Sequence, residues 1–343
     1  YFKYLKAKHH IKDSDIYKTI NPATKKGKVL FIDDEWDKGW SDILKTALLK
    51  DGLEFEPFKY EYKDKTPFNL YMKIQKKIKE YDPDLVILDL RLSQDDHNED
   101  KDIDNYTGIK LLQKSHEINA GIQVIMLTAT SKSTILEKLY EKKILGYIKK
   151  EHPDDASINT VENINKFVSL TNIGLEKKYL KNIWSLQLEI LENKNLSDDI
   201  TLEISTVFEI LNSNMENKFA FVVLTFAKIF EYISKLYIDE SLMKYIDNRQ
   251  QVGIYNVKDN RITEYNNEKW WKNTQNRVHN LVYTKLNIID EKTHKYICKI
   301  INCRNYIAHP NERTPVGCKL VKAPNHQHIL NWFTIIKDIL LKI

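Results

Sequence analysis

Asp33, Asp34, Asp89, Thr128 and Lys150 each end, or directly follow, a short apolar run in the first half of the chain. Brought to one rim, the three carboxylates would repel one another, and something must neutralise them. A hard divalent cation such as Mg²⁺ does so through oxygen ligands, and a neighbouring ammonium assists. A carboxylate beside such a cation, a hydroxyl and a lysine can accept a phosphoryl group, because cation and ammonium offset the charge developing on the phosphoryl oxygens. Any one of these acids alone reads as a solvated surface charge; the chemistry depends on their convergence. A second candidate lies near the other end. Arg304 interrupts the apolar stripe of Ile297, Ile300, Ile301 and Ala308, where a guanidinium needs either a partner or a ligand. His309 follows at a helix end enforced by Pro310, so it escapes the helix and can reach the same cleft.

Convergence of the first set requires a particular framework. From Gly27 onward, β-rich runs at 28–32, 53–60, 84–89, 122–127 and 145–149 alternate with helical periods. The helices are expected through Trp40 to Leu48 and over 67–81, 108–119, 131–143 and 156–170. Strands and helices in strict alternation imply an α/β doubly wound, five-stranded parallel sheet covered on both faces. Such sheets bind ligands at the carboxyl ends of their strands, which is where the five polar residues fall.

With those residues in that order, the span 28–170 resembles the receiver domain of response regulators, a flavodoxin-like fold. The resemblance implies that Asp89 is the phosphoacceptor and that Asp33, Asp34, Asp89 and the backbone carbonyl of Arg91 hold Mg²⁺. It implies that Thr128 bonds the phosphoryl group, that Lys150 pairs with it and that Tyr147 is an aromatic switch. A sensor histidine kinase or phosphorelay protein would be the donor. Two positions depart from the family pattern: Ser93 and Glu151 stand where prolines are usual, with Pro153 arriving late. The loop 93–106 is also long and acidic. It either lends further metal ligands or forms a flexible, solvated lid, and the lid is the expectation.

Between 171 and 194, the spacing of Leu175, Tyr179, Ile183, Leu186 and Ile190 predicts one long helix. Its seam suits a coiled-coil partner or its own domain equally. Helices are expected beyond it at 200–211, 219–237, 270–283, Glu291–Ala308 and 327–342, with a hairpin inserted at 253–265 around Asp259-Asn260. The organisation expected is an N-terminal extension (1–26), a receiver domain (27–170), a connector helix (171–196) and an all-α helical domain (197–343).

The string Arg304-Asn305-Tyr306-Ile307-Ala308-His309 resembles the Arg-x4-His motif of HEPN domains, helical bundles in which the motif sits near a helix end with a final helix after it. That resemblance implies a metal-independent endoribonuclease assembled across a homodimer, needing no cofactor. His309 would be general acid or base, Arg304 would hold the scissile phosphate, and Asn305 would position the pair. The RNA's own 2′-OH would be the nucleophile, giving a cyclic phosphate. No Tyr stands two positions after His309, so the form silenced by nucleotidylation there is not expected. The competing reading makes Arg304 and His309 the glue of a dimer core. His279, His326 and His328 have weaker claims, and Trp270-Trp271 reads as core rather than as a base-stacking platform.

Composition narrows the class. The chain of 343 residues is 42% hydrophobic and 29% charged, ordinary for globular domains and enough for two cores. No apolar run approaches the ~20 residues that cross a bilayer, and the first residues lack a signal-peptide core. A cytoplasmic protein without a membrane partner is therefore expected. It begins at Tyr1 rather than Met, which leaves room for residues upstream. Cys298, Cys303 and Cys318 are too few and too irregular for a disulfide framework, and they read as buried thiols. A His294–Cys298 metal pair is conceivable on one helix face but not expected. Net charge is +5, and Lys299, Arg304, Arg313, Lys319, Lys322, Lys337 and Lys342 against Glu312 and Asp338 put as much on the last helices alone. That basic end fits either a polyanion or a merely solvated face.

Together the two resemblances imply a phosphorylation-regulated endoribonuclease effector, in antiviral defence or stress-induced growth arrest. The alternative is a receiver-gated adaptor whose helical bundle binds nucleotide or a partner protein. A DNA-binding regulator ranks last, since no helix-turn-helix with a tight Gly turn follows Asn195.

Overall fold

Residues 23–48, 51–60, 67–97, 102–129, 133–150, 159–236, 253–256, 261–264, 274–288, 290–309 and 320–343 are described by the structure, a computed structural model. The chain divides into two units, Tyr1–Lys181 and Asn182–Ile343. Most of the expected N-terminal extension (1–22), the hairpin turn at Asp259-Asn260, Trp270-Trp271, Glu151, Pro153, Pro310 and Cys318 lie outside the described residues.

In the first unit, β1 (Gly27–Ile32), β2 (Leu53–Pro57), β3 (Leu85–Asp89), β4 (Gln123–Thr128) and β5 (Gly146–Lys149) form one sheet of order β2-β1-β3-β4-β5. Every neighbouring pair is parallel. Strand side chains alternate between faces, so the two helical layers share each strand. Leu30, Ile32, Val86, Leu88, Val124 and Met126 point to one core with Ile74 and Ile78 of α2 (Pro67–Tyr81) and Ile109 and Leu112 of α3 (Thr107–Ile118). Val29, Phe31, Ile87, Ile125 and Leu127 point to the other, with Leu44 of α1 (Ser41–Ala47) and Phe167 and Val168 of α5 (Asn159–Glu176). A fourth helix, α4 (Ser133–Glu141), joins β4 to β5. Each strand of the alternation expected from the sequence is present, shifted by a few residues at its ends.

One expected element differs. Instead of a helix ending at residue 170 and a single helix over 171–194, α5 continues through Leu170 to Glu176, and α6 (Tyr179–Leu191) follows a break at Lys177-Lys178. The cause is packing. Thr171 is fully buried, Leu175 belongs to the core of the sheet, and Asn172 Oδ1 accepts from Thr24 N at 2.7 Å, so this stretch is held by the first unit. The start of α6 is held there too. Lys181 Nζ lies 2.7 Å from Asp82 Oδ1, and Asn119 Nδ2 donates to Lys181 O at 3.2 Å. Gly121 makes room for this contact, because a Cβ on it would lie 2.4 Å from the backbone of Leu180 and Lys181. Leu175, Tyr179, Ile183 and Ile190 are all buried, so most of the seam is not open to a coiled-coil partner.

The second unit is helical. It contains α7 (Asp198–Asn212), α8 (Lys218–Leu236), α9 (Thr274–Asn280), α10 (Glu291–Ala308) and α11 (His326–Leu340), together with the antiparallel hairpin β6 (Gly253–Asn256) and β7 (Arg261–Glu264). Helix α7 starts at Ser197, which accepts from Ile200 N, with Asp198 and Asp199 in its first turn, where the helix dipole favours acids. Its core gathers Phe226, Phe230, Trp332 and Phe333, with Phe226 and Phe333 stacked at 5.5 Å. Among the described residues no helix is long and apolar enough to cross a membrane.

Candidate functional site

Strand order brings the first candidate set together. Ile32 pairs with Leu88, Asp89 with Leu127, and Thr128 with Lys149, so the ends of β1, β3, β4 and β5 form one rim. The chain reverses its winding direction between β1 and β3, the switch point at which such sheets open a crevice. Asp33 (0% exposed), Asp89 (5%), Thr128 (0%) and Lys150 (8%) are buried there, with Asp34 half-buried. One carboxylate oxygen from each of Asp33, Asp34 and Asp89 lies within 4.8 Å of the other two.

Lys150 spans this cluster. Its Nζ donates to Asp89 Oδ2 at 2.5 Å and lies 2.8 Å from Asp33 Oδ2, while its backbone N donates to Thr128 O at 2.7 Å. Asp33 Oδ1 accepts from Glu35 N at 2.8 Å. Asp33 Oδ2 is buried, facing the Lys150 ammonium. Burial, then the charge of Asp89, push the Asp33 carboxyl up to about 7 against the pull of Lys150. The same two causes raise Asp34 to about 6. Burial lowers the pKa of Lys150, but Asp89 and Asp33 outweigh it and hold the ammonium well above its ordinary value. One ammonium therefore faces a cluster of three carboxyl groups, and it does not offset the burial and repulsion that raise Asp33 and Asp34. An all-oxygen donor set, with one oxygen from each of three carboxylates within 4.8 Å of the others, fits a hard divalent cation.

Arg91 N approaches Asp89 Oδ1 at 3.4 Å, which places Arg91 in the turn just beyond the acceptor strand. Tyr147 lies on β5 opposite Met126, half-buried, with Lys166 Nζ of α5 4.5 Å from its ring centroid. Nothing in sequence spacing pointed to Lys166, whose partner is on another element.

The acidic loop after β3 differs from a solvated lid where it is described. Asp96 is 1% exposed. Its Oδ2 accepts from Leu92 N at 3.0 Å and Ser93 N at 3.1 Å, and its Oδ1 accepts from Thr107 N at 3.1 Å. That carboxylate is spent on backbone donors rather than offered to a metal, and it clasps the loop to the first turn of α3. Ser93 Oγ and Thr107 Oγ1 bond at 3.0 Å beside it. Gly108 lets α3 press against the acceptor strand, since a Cβ there would lie 2.3 Å from Asp89 O. Further along, Asp102 pairs with Lys138 at 3.6 Å and Asp104 with Lys142.

In the second unit, α10 ends at Ala308 as expected, with His309 as its exposed C-cap and its N–H bonded to Asn305 O at 2.8 Å. Arg304 lies on the apolar side, but its side chain is 36% exposed and already partnered. Its Nη1 donates to Asn305 Oδ1 at 3.1 Å and its Nη2 to Glu231 Oε1 of α8 at 3.4 Å. Glu231 was not singled out from the sequence, although it is the one acid in the otherwise apolar and basic α8.

One other expectation changes: Cys298 is disulfide-bonded rather than a free thiol, while Cys303 is a buried free thiol as expected. His279 meets a second histidine: its Nδ1 lies 2.8 Å from His294 Nδ1, with the rings stacked at 5.0 Å. Burial, then His294, push His279 down to about 3, and burial lowers His294 against the pull of Asp290.

No protein-family profile and no curated protein sequence matches the chain. Solved structures that match include a LuxR-family two-component response regulator from Aurantimonas sp. SI85-9A1, at 15% identity over 42% of this chain and 86% of that one, with a TM-score of 0.29. A DNA-binding response regulator of the LuxR family from Staphylococcus aureus matches at 18% identity over 43% and 98%, TM-score 0.30. A signal receiver domain from Vibrio parahaemolyticus matches at 16% over 43% and 96%, TM-score 0.28. By its own strand order and flanking helices, the first unit has the doubly wound, flavodoxin-like fold of receiver domains.

Proposed function

We propose that the chain is a phosphorylation-controlled effector in which Asp89 takes the phosphoryl group and the helical unit is a HEPN-type endoribonuclease. The observation that carries this reading is the single ammonium of Lys150, set 2.5 Å from Asp89 Oδ2 and 2.8 Å from Asp33 Oδ2. An oxygen of Asp89 attacks the phosphorus of a phosphohistidine on a sensor kinase or phosphorelay protein. The P–N bond breaks and its electron pair stays with the imidazole. Lys150 then pairs with a phosphoryl oxygen instead of the vacated carboxylate charge, and the Thr128 hydroxyl donates to another. Asp33, Asp34, Asp89 and the carbonyl of Arg91 would hold a divalent cation such as Mg²⁺, which would neutralise charge on those oxygens. Tyr147, under Lys166, is the aromatic group that responds to the Thr128 side. The phosphoryl group can act only through its different free energy in two arrangements of the protein.

At the second site, the 2′-OH of RNA attacks the adjacent phosphorus and the 5′-oxygen leaves, giving a 2′,3′-cyclic phosphate. His309 moves the proton, Arg304 holds the scissile phosphate, and Asn305, bonded to Arg304 at 3.1 Å, fixes the guanidinium. Two copies of the motif across a homodimer complete that site. Antiviral defence or growth arrest in the cytoplasm is the setting this pairing suggests.

One observation favours the adaptor instead. Glu231 already neutralises Arg304 at 3.4 Å, as a purely structural pair would. Purified wild type, Asp89→Ala and His309→Ala, each incubated with total RNA, decide between the two. Cleavage that persists in EDTA after phosphorylation, vanishes in His309→Ala and changes in Asp89→Ala is the expected result. No cleavage under any condition would leave the adaptor.

A further inference from the structure

From Lys292 to Ala308, helix α10 carries Lys292, Lys295, Lys299 and Arg304 and no Asp or Glu. Helical spacing divides these cations. Arg304 falls on the apolar side with Ile297 and Ile301, whereas Lys292, Lys295, Tyr296, Lys299 and Tyr306 share the opposite side. Lys292 and Lys295 are exposed, and Tyr296, Lys299 and Tyr306 are half-buried. The Tyr296 ring has Lys292 Nζ at 6.0 Å and Lys299 Nζ at 5.4 Å from its centroid. Lys322 Nζ is 5.6 Å from the Tyr306 ring. His328, in the first turn of α11, is near enough to Lys299 for that charge to add to burial in lowering its pKa.

The side chains on this face suit one kind of occupant. An apolar partner surface would desolvate the exposed ammonium groups of Lys292 and Lys295 at a heavy cost. An acidic peptide would satisfy the lysines but leave the rings unused. A single nucleic-acid strand uses both, phosphates against the lysines and bases against the tyrosines, and a ring accepts any base. From Lys292 to Lys299 the face is about 10 Å long at 1.5 Å per residue; Asn302 and Cys303 are buried beyond it, and Tyr306 with Lys322 lies past that interruption.

We propose that this lysine–tyrosine face of α10 grips single-stranded RNA, the polymer whose cleavage is assigned to Arg304, Asn305 and His309. The identity of the strand as a substrate rests on that ribonuclease reading; the grip itself does not. Because the face is turned away from Arg304, binding can be altered without touching the cleavage residues.

The test is fluorescence anisotropy of the full chain with a labelled, uncleavable 2′-O-methyl oligonucleotide across a salt series. Wild type binds, and Lys295→Glu/Lys299→Glu weakens binding by about tenfold or more. The milder Lys295→Gln/Lys299→Gln flattens the salt dependence by ~1.4, at ~0.7 for each lost single-strand phosphate contact. Tyr296→Ala weakens binding with the salt slope unchanged. The control Lys76→Glu/Lys79→Glu, which removes equal charge from exposed positions on α2, binds as wild type. The proposal is overturned if wild type does not bind, if both α10 variants bind as wild type, or if an acidic peptide displaces the strand at equal charge. Lysine-dependent binding with no cutting of unmodified RNA keeps this proposal and removes the nuclease. His309-dependent cutting that ignores the lysines does the reverse.

Discussion

Single side chains on the rim explain why charge, more than packing, governs the first site. Asp33 and Asp89 share one ammonium, so Lys150→Met strands two buried carboxylates, and removing one member of a buried pair costs about 3–5 kcal/mol. Urea unfolding in EDTA should show that loss, and added Mg²⁺ should recover part of it. In wild type, Mg²⁺ should raise the melting temperature, because a ligand of the folded state stabilises it by mass action; in Asp33→Asn/Asp34→Asn the increase should disappear. Asp89→Asn should take up no phosphate from a small acyl-phosphate donor, as read by intact mass. The rim residues were legible beforehand because each ends or follows an apolar strand, and the parallel order does the rest. Glu231 was not, since 73 positions separate it from Arg304 and only the packing of α8 on α10 unites them. Asp96 was not either: beside Asp95 it is one letter in an acidic run, and only three backbone N–H groups distinguish it.

Elements show the same division between local and distant causes. The bounds of α2 and α10 agree with their helical periods because Pro67 opens one and the other ends before Pro310. The break between α5 and α6 was hidden, since the seam spacing continues straight through Lys177-Lys178 while Leu175 and Lys181 are captured by the first unit. The clasp after β3 gives an element-scale prediction. Asp96→Ala leaves the N–H groups of Leu92, Ser93 and Thr107 without their acceptor. At about 1–3 kcal/mol for each unsatisfied buried donor, with water recovering some, a net loss of roughly 3 kcal/mol is expected in urea denaturation. Asp96→Asn, which keeps one acceptor oxygen, should lose less. The loop joining Asp89 to α3 should also exchange its amide hydrogens faster in the alanine variant.

At the scale of the molecule, two cores imply two unfolding transitions with different responses to acid. The His279–His294 pair lies in the second unit and is held neutral by burial. Its folded pKa is depressed, from 6.5 to about 3 for His279, so below the ordinary value the unfolded chain binds more protons. Stability from this pair is therefore complete above about pH 6.5 and declines as the pH falls toward 3. Calorimetry should show one transition sliding down in temperature over that range, and His279→Gln should flatten its slope. The helix α6 carries a further consequence. The boundary between the two units falls after Lys181, inside α6. Cutting the chain there severs a helix, so a piece ending at Lys181 and a piece starting at Asn182 each lose the N–H to C=O bonds that cross that point. Circular dichroism of the two pieces, summed, should therefore show less helix than the intact chain, as a rope cut through a splice frays on both sides.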